Sequence, residues 1–207
     1  MSVENINLNF INKSADTNNS GIVIYQQNVA VDFDELTVAW RVIQNVGQLD
    51  NHRFVYPILF DMSARDSYGS YTPQITADNG NAYEMINDGS GDILRLASNT
   101  AASPNEVLAQ NNLPQGAIDI CIYRDGKLLA QKTGIAPCQK AAFQFQPRLY
   151  IGVASGVQEG DVLSSALLSQ INGQINLFGI SSADIIMTGG GPNGTPFDFH
   201  LENIAHD

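Results

Sequence analysis

The sequence predicts a mainly β protein: an antiparallel β-sandwich of about ten short strands with one amphipathic helix near 160–178, in a single domain spanning 1–207. Three observations carry this reading. Apolar residues recur at period two in one stretch after another, which puts one face of an extended chain in a core. Turn residues punctuate those stretches throughout the chain. Helix does not alternate regularly with strand, as a parallel α/β sheet would require.

In order, Ile6, Leu8 and Phe10 alternate with asparagines and mark a half-buried strand. The turn-rich stretch 12–20 separates it from a second strand at 21–26, which is expected to pair with the first. Leu36, Val38, Trp40 and Val42 place a strand over 36–43. Phe54, Tyr56, Ile58, Phe60 and Met62 place another over 54–62, with Pro57 marking an edge or a bulge. The stretch 65–80 reads as irregular, and 81–86 with 92–96 as a hairpin across Asn87-Asp88-Gly89-Ser90-Gly91. A long loop over 97–112 has room for one helical turn at Ser103. Residues 117–123 and 128–133 form a hairpin, because Asp125-Gly126 suits the positive φ of a type I′ turn. Strands follow near Phe143 and Phe145 and over 149–153. Leu163, Leu167, Ile171 and Ile175 at i, i+4 spacing predict the helix, and Gly179 its end. Strands over 183–188 and 197–201 close the chain, with His206 in a frayed tail. No internal repeat of fixed period is visible.

Lys+Arg number 10 against 21 Asp+Glu, a net charge of −11, which speaks against nucleic acid and anionic lipid as partners. Charged residues make up only 15%, and 20 Asn and 14 Gln supply the polarity instead. No apolar run reaches the roughly 18 residues of a membrane span. The N-terminal residues lack a basic and apolar leader, so a cytoplasmic location is expected. Cys121 and Cys138 are expected to be buried thiols rather than a disulfide.

Gly189-Gly190-Gly191-Pro192-Asn193-Gly194 contains G-x-G-x-x-G, but a strand pattern follows it where a phosphate site needs a helix. Asp198, His200 and Glu202 share one strand face and are the candidate metal ligands, against the commoner reading of a solvated polar face. Asp88 and Asp92 share a tight turn that lacks the spacing of a calcium loop. Asp50, Asn51, His52, Tyr68 and Tyr71 are the candidate ligand-binding residues, because tyrosine supplies stacking area and amides or carboxylates bind neutral hydroxyls. No catalytic constellation and no cofactor motif emerges. The expectation is a non-enzymatic binding or self-assembly protein. It acts through sheet edges and amide- and tyrosine-rich loops, on a carbohydrate-like ligand, a protein partner or a second copy. The alternative is a metal-dependent enzyme using Asp198, His200 and Glu202.

Overall fold

Alternation drives the architecture. In β1 (Asn5–Asn12), Ile6, Leu8 and Phe10 are buried while Asn5 and Asn7 are exposed. Each such fully buried side chain contributes ~2 kcal/mol of hydrophobic free energy. The computed structural model describes residues 5–16, 20–30, 35–171, 173–191 and 195–206, the side chain of Glu35 excepted. Among them the chain is mainly β, as the pattern requires, with four sheets and one short helix. The strands number seventeen rather than about ten, because two apolar runs are split and three further strands form over 75–77, 107–111 and 173–176, in stretches expected to be irregular, loop and helix.

After β1 come β2 (Ile22–Tyr25), β3 (Glu35–Thr37), β4 (Arg41–Ile43), β5 (Asn51–Pro57) and β6 (Phe60–Arg65). The run expected as one strand over 36–43 is thus two, broken at buried Val38, Ala39 and Trp40. The run over 54–62 breaks after Pro57, where Ile58 and Leu59 are exposed. Proline removes the ladder donor that a continuous strand would need. Next are β7 (Ile75–Ala77), β8 (Asn81–Asn87), β9 (Asp92–Thr100) and β10 (Val107–Asn111). The last two take up most of the expected loop over 97–112, and no helix forms at Ser103. β11 (Ile118–Arg124) and β12 (Lys127–Ile135) form the expected hairpin, with Asp125 and Gly126 at φ 53° and 68°. β13 (Lys140–Phe143) and β14 (Arg148–Val153) follow.

The helix is a correction. α1 covers only Ser165–Gln170, capped by Ser164 Oγ accepting from Leu167 N–H, and Ile171 is already extended. β15 (Gly173–Asn176) then pairs with β14. Gly173 would cost a helix roughly 1 kcal/mol, and here its missing side chain lets β15 approach β14: a Cβ would lie 2.5 Å from the Ile151 carbonyl oxygen. β16 (Ile180–Thr188) and β17 (Asp198–His206) end the chain, so His206 is on a strand, its Nδ1 2.9 Å from the Gly179 carbonyl oxygen, not in a frayed tail. Of the glycine-rich motif, residues 192–194 lie outside the described residues. No described helix is long and apolar enough to cross a membrane.

The chain divides into two compact units, with unit 2 formed by 27–37 and 59–146 and unit 1 by the rest. In unit 1 the sheets run β17-β16-β1-β5 and β15-β14-β2-β4. They pack together: Gln26 Nε2 donates to Tyr56 Oη at 3.0 Å, and Trp40 meets Phe54 and Tyr56 edge-on. β2 pairs with β14 and β4 rather than with β1. In unit 2 the sheets run β13-β10-β8-β9 and β3-β12-β11-β6-β7, joined where Tyr83 Oη donates to the Thr76 carbonyl at 3.1 Å.

The two units repeat one plan. Unit 2 taken in the order β6-β7-β8-β9-β10-β11-β12-β13 makes the same pairings as unit 1 taken as β14-β15-β16-β17-β1-β2-β4-β5, with β3 added beyond β12. Even the exceptions to antiparallel pairing match: β8 runs parallel to β10, and β16 parallel to β1. The match reaches single bonds. Asn12 N–H donates to Asp50 O at 3.1 Å and Asn12 O accepts from Leu49 N–H at 2.6 Å; Asn111 does the same with Gln139 at 2.9 Å and Cys138 at 2.8 Å. Leu49 and Cys138 both have positive φ, 70° and 67°. The side-chain amides of Asn12 and Asn111 donate to Val46 O and Ile135 O, each at 2.8 Å. The order of one copy is circularly shifted relative to the other, so no fixed period appears in the sequence.

Candidate functional site

Three connections of unit 2 meet around two adjoining clefts. One, of about 440 Å³, lies among 66–68, Asn87, Asp92 and 113–117. The other, of about 340 Å³, is lined by 70–72, Met85 and Gly91 together with the same Asp66, Asn87 and Asp92.

The β6–β7 connection is organised by Asp66. Its Oδ1 accepts from Tyr68 N–H and Ser70 N–H, each at 2.8 Å, which is how an aspartate competes with ladder pairing in a turn. Gly69 supplies the left-handed φ of 91° that closes the turn. Tyr68 is thereby held out in solvent, 91% exposed, and Tyr71 is 56% exposed. The Arg65 guanidinium lies 5.9 Å from the Tyr71 ring centre and pairs with Asp119. That carboxylate, by hydrogen bond and charge, holds the Arg65 pKa above its ordinary value.

In the β8–β9 turn, Asn87 Nδ2 donates to Asp92 Oδ1 at 2.7 Å and Asn87 Oδ1 accepts from Gly89 N–H at 3.0 Å. Asp88 Oδ1 accepts from the Ser90 hydroxyl and amide at 2.7 and 3.0 Å, and these bonds lower its pKa. The β10–β11 loop hangs on Asn111, which is fully buried. Its Nδ2 donates to Gly116 O at 2.9 Å and Ile135 O at 2.8 Å, and its Oδ1 accepts from Leu113 N–H at 3.1 Å. Backbone and carboxylate groups thus fix the rim, with the two tyrosines at its edge. Chemically the rim offers carboxylate and amide acceptors, amide donors and aromatic faces: hydroxyls pair with the first two, and the C–H face of a ring packs on the third.

Of the sequence candidates, Tyr68 and Tyr71 line these clefts. Asp50, Asn51 and His52 belong to unit 1 and line neither. Asp50 closes its own turn, its Oδ2 accepting from Gly47 N–H at 3.1 Å, and Asn51 and His52 open β5. Asp198, His200 and Glu202 do share a face of β17, but as a row. His200 Nδ1 lies 3.1 Å from Asp198 Oδ2 and Nε2 lies 3.5 Å from Glu202 Oε1, so the two acids flank the ring instead of converging with it on one point. Lys13 Nζ lies 2.7 Å from Glu202 Oε2 and holds that pKa down. Among the described residues no group of three or more His, Cys, Asp or Glu is arranged to hold a metal ion.

Both cysteines are free; Cys121 is buried, and burial pushes its thiol pKa up, while Cys138 is exposed rather than buried because it lies in the turn before β13. Asp66, Asn87 and Asp92 were missed as site residues. Their turn chemistry was visible in the sequence, but not that the turns meet. Asn111 left no signal, since a buried asparagine and a surface one read alike. Comparison with protein-family models, with curated proteins and with solved structures finds no match for this chain.

Proposed function

We propose that the protein is a non-enzymatic binding protein whose unit 2 clefts take a neutral, hydroxyl-rich ligand of carbohydrate type. One observation carries the reading: two solvent-held tyrosines flank adjoining clefts whose polar rim is fixed by Asp66, Asn87 and Asp92. Tyrosine binds sugar faces at low entropic cost, and a rim already ordered in the free protein loses little freedom on binding. The test is titration of the protein with neutral oligosaccharides. Tyr71→Ala is expected to weaken binding by tenfold or more, equivalent to at least about 1.4 kcal/mol, in a chain that still unfolds cooperatively in urea. Equal affinity of Tyr71→Ala and wild type removes the clefts from the reading.

Self-association is a second reading, favoured by β9 and β17. Each is a nine-residue strand at the edge of its sheet among the described residues, and such edges recruit further strands. Light scattering on the eluting protein tests it; a strict monomer at all concentrations discards it. A metal-dependent activity at Asp198, His200 and Glu202 has less support, because Lys13 and His200 already engage the acids. Metal analysis of protein purified without chelator decides that alternative.

A further inference from the structure

We infer that unit 1 carries a second site for the same class of neutral, hydroxyl-rich ligand, at the place that corresponds to the unit 2 cleft, so that one chain binds two equivalents. This rests on the reading above and adds to it. The correspondence comes from strand pairing. Val153 pairs with Ile22 as Ala64 pairs with Ile120, so the residues that follow β14 stand where those that follow β6 stand, and the residues that precede β2 where those that precede β11 stand. In unit 2 these two segments, 66–68 and 113–117, make two walls of the larger cleft. In unit 1 the matching segments make a hollow of about 490 Å³, lined by Ser20 and Gly21 before β2 and by 154–157 after β14, with Gln44 and Asn45 completing it.

The buried asparagine that anchors this end is present in both copies. Asn12 Oδ1 accepts from Ser14 N–H at 2.9 Å, as Asn111 Oδ1 accepts from Leu113 N–H at 3.1 Å. Among the described residues, the polar side chains of the unit 1 hollow are two serines, a glutamine and an asparagine, and its lining holds no charged residue. That chemistry pairs with hydroxyls, each of which both donates and accepts, and has no counter-charge to offer an ionic ligand. It also lacks tyrosine, so this site is the weaker of the two.

The experiment is calorimetric titration of the full chain with cellohexaose, maltohexaose and xylohexaose at millimolar concentration, followed by Tyr71→Ala and by the double variant Q44A/S155A. The expected result is two equivalents on wild type, the tighter lost in Tyr71→Ala and the weaker lost in Q44A/S155A. Gln44 and Ser155 are exposed, so the double variant is expected to keep its urea midpoint. A single equivalent that disappears in Tyr71→Ala overturns the second site and leaves the unit 2 reading standing. A single equivalent that survives Tyr71→Ala and disappears in Q44A/S155A supports the unit 1 site and overturns the unit 2 reading. No heat with any of the three sugars overturns both.

Discussion

The sheet β15-β14-β2-β4 of unit 1 and the strands β7-β6-β11-β12 of unit 2 share one pairing plan but carry different outer faces. In unit 1 that face is apolar. Val23 and Tyr25 form a cluster with Leu163 and Ile171, Leu167 and Leu168 of α1 pack against it, and Tyr25 stacks on Tyr150 at 5.0 Å. In unit 2 Cys121 and Tyr123 stand where Val23 and Tyr25 do, but polar pairs surround them. Ser63 Oγ donates to Tyr123 Oη at 3.3 Å, Arg65 pairs with Asp119, and Thr76 Oγ1 donates to Asp61 Oδ1 at 3.1 Å. The connection between the corresponding strands differs to match. From β14 to β15 it carries α1, which covers the face; from β6 to β7 it is a bare loop that presents Tyr68 and Tyr71. The same backbone pairing thus carries either outer face, with a covering helix over the apolar one and an exposed loop beside the more polar one. An apolar face must be removed from water, whereas a face whose polar groups bond to one another need not be.

The largest expected effect separates the copies at one matching position. Gly173 is opposite Ile151 as Ile75 is opposite Met62. A Cβ on Gly173 would lie 2.5 Å from the Ile151 carbonyl and 2.9 Å from the Phe199 ring. Gly173→Ala is therefore expected to cost about 3 kcal/mol or more in urea unfolding, and half-buried Ile75→Ala only about 1 kcal/mol. A cost below about 1 kcal/mol for Gly173→Ala would mean that β15 accepts a side chain there as β7 does, and the comparison would fail at that position.

Next in size are the paired asparagines. Asn12→Ala and Asn111→Ala each strand buried carbonyl and N–H groups, and each is expected to cost ~2–3 kcal/mol. They should part on ligand binding: Asn111 holds the Gly116 carbonyl at the cleft, so its loss is expected to weaken oligosaccharide binding at unit 2, which Asn12→Ala should leave intact. Titration of both variants against wild type, under conditions where each is folded, makes the check.

The smallest effect concerns charge. The Arg95 and Asn112 hydrogen bonds hold the Glu84 carboxyl below its ordinary 4.5. A depressed folded pKa means that this stabilisation is present above the unfolded value and is lost as pH falls through the folded one. Arg95→Ala should therefore cost less than about 1 kcal/mol near neutrality, and the gap to wild type should close below pH 4.5. At the matching place in unit 1 stand Ile186 and His200, so the carboxylate–guanidinium pair is particular to unit 2. Urea midpoints of wild type and variant at neutral and acidic pH measure it; a gap that widens on acidification contradicts the assignment.

How much could be foreseen depended on how local the cause was. The β11–β12 hairpin was legible because Asp125-Gly126 answers a purely local demand for positive φ. β1 was legible because its asparagines and aliphatics alternate without a break. The stretch 160–178 was misjudged because Leu163, Leu167, Ile171 and Ile175 satisfy a helical stripe equally well as a short helix followed by a strand. Pairing with β14, about twenty residues earlier in the chain, chose between them. The split at Pro57 hid for the same reason, since the apolar period runs straight through the passage from unit 1 to unit 2.

From the order of residues alone came the β class, the secure turns, the acidic, amide-rich surface and the two tyrosines of the loop. These follow from side-chain period and backbone preference over a few neighbours. Only the folded chain decided that eight strands are laid down twice, that Asn12 and Asn111 occupy one role, and that three separate turns converge beside Tyr68 and Tyr71. Those facts are set by hydrogen-bond register between segments far apart in the chain, and register leaves no local trace in the sequence.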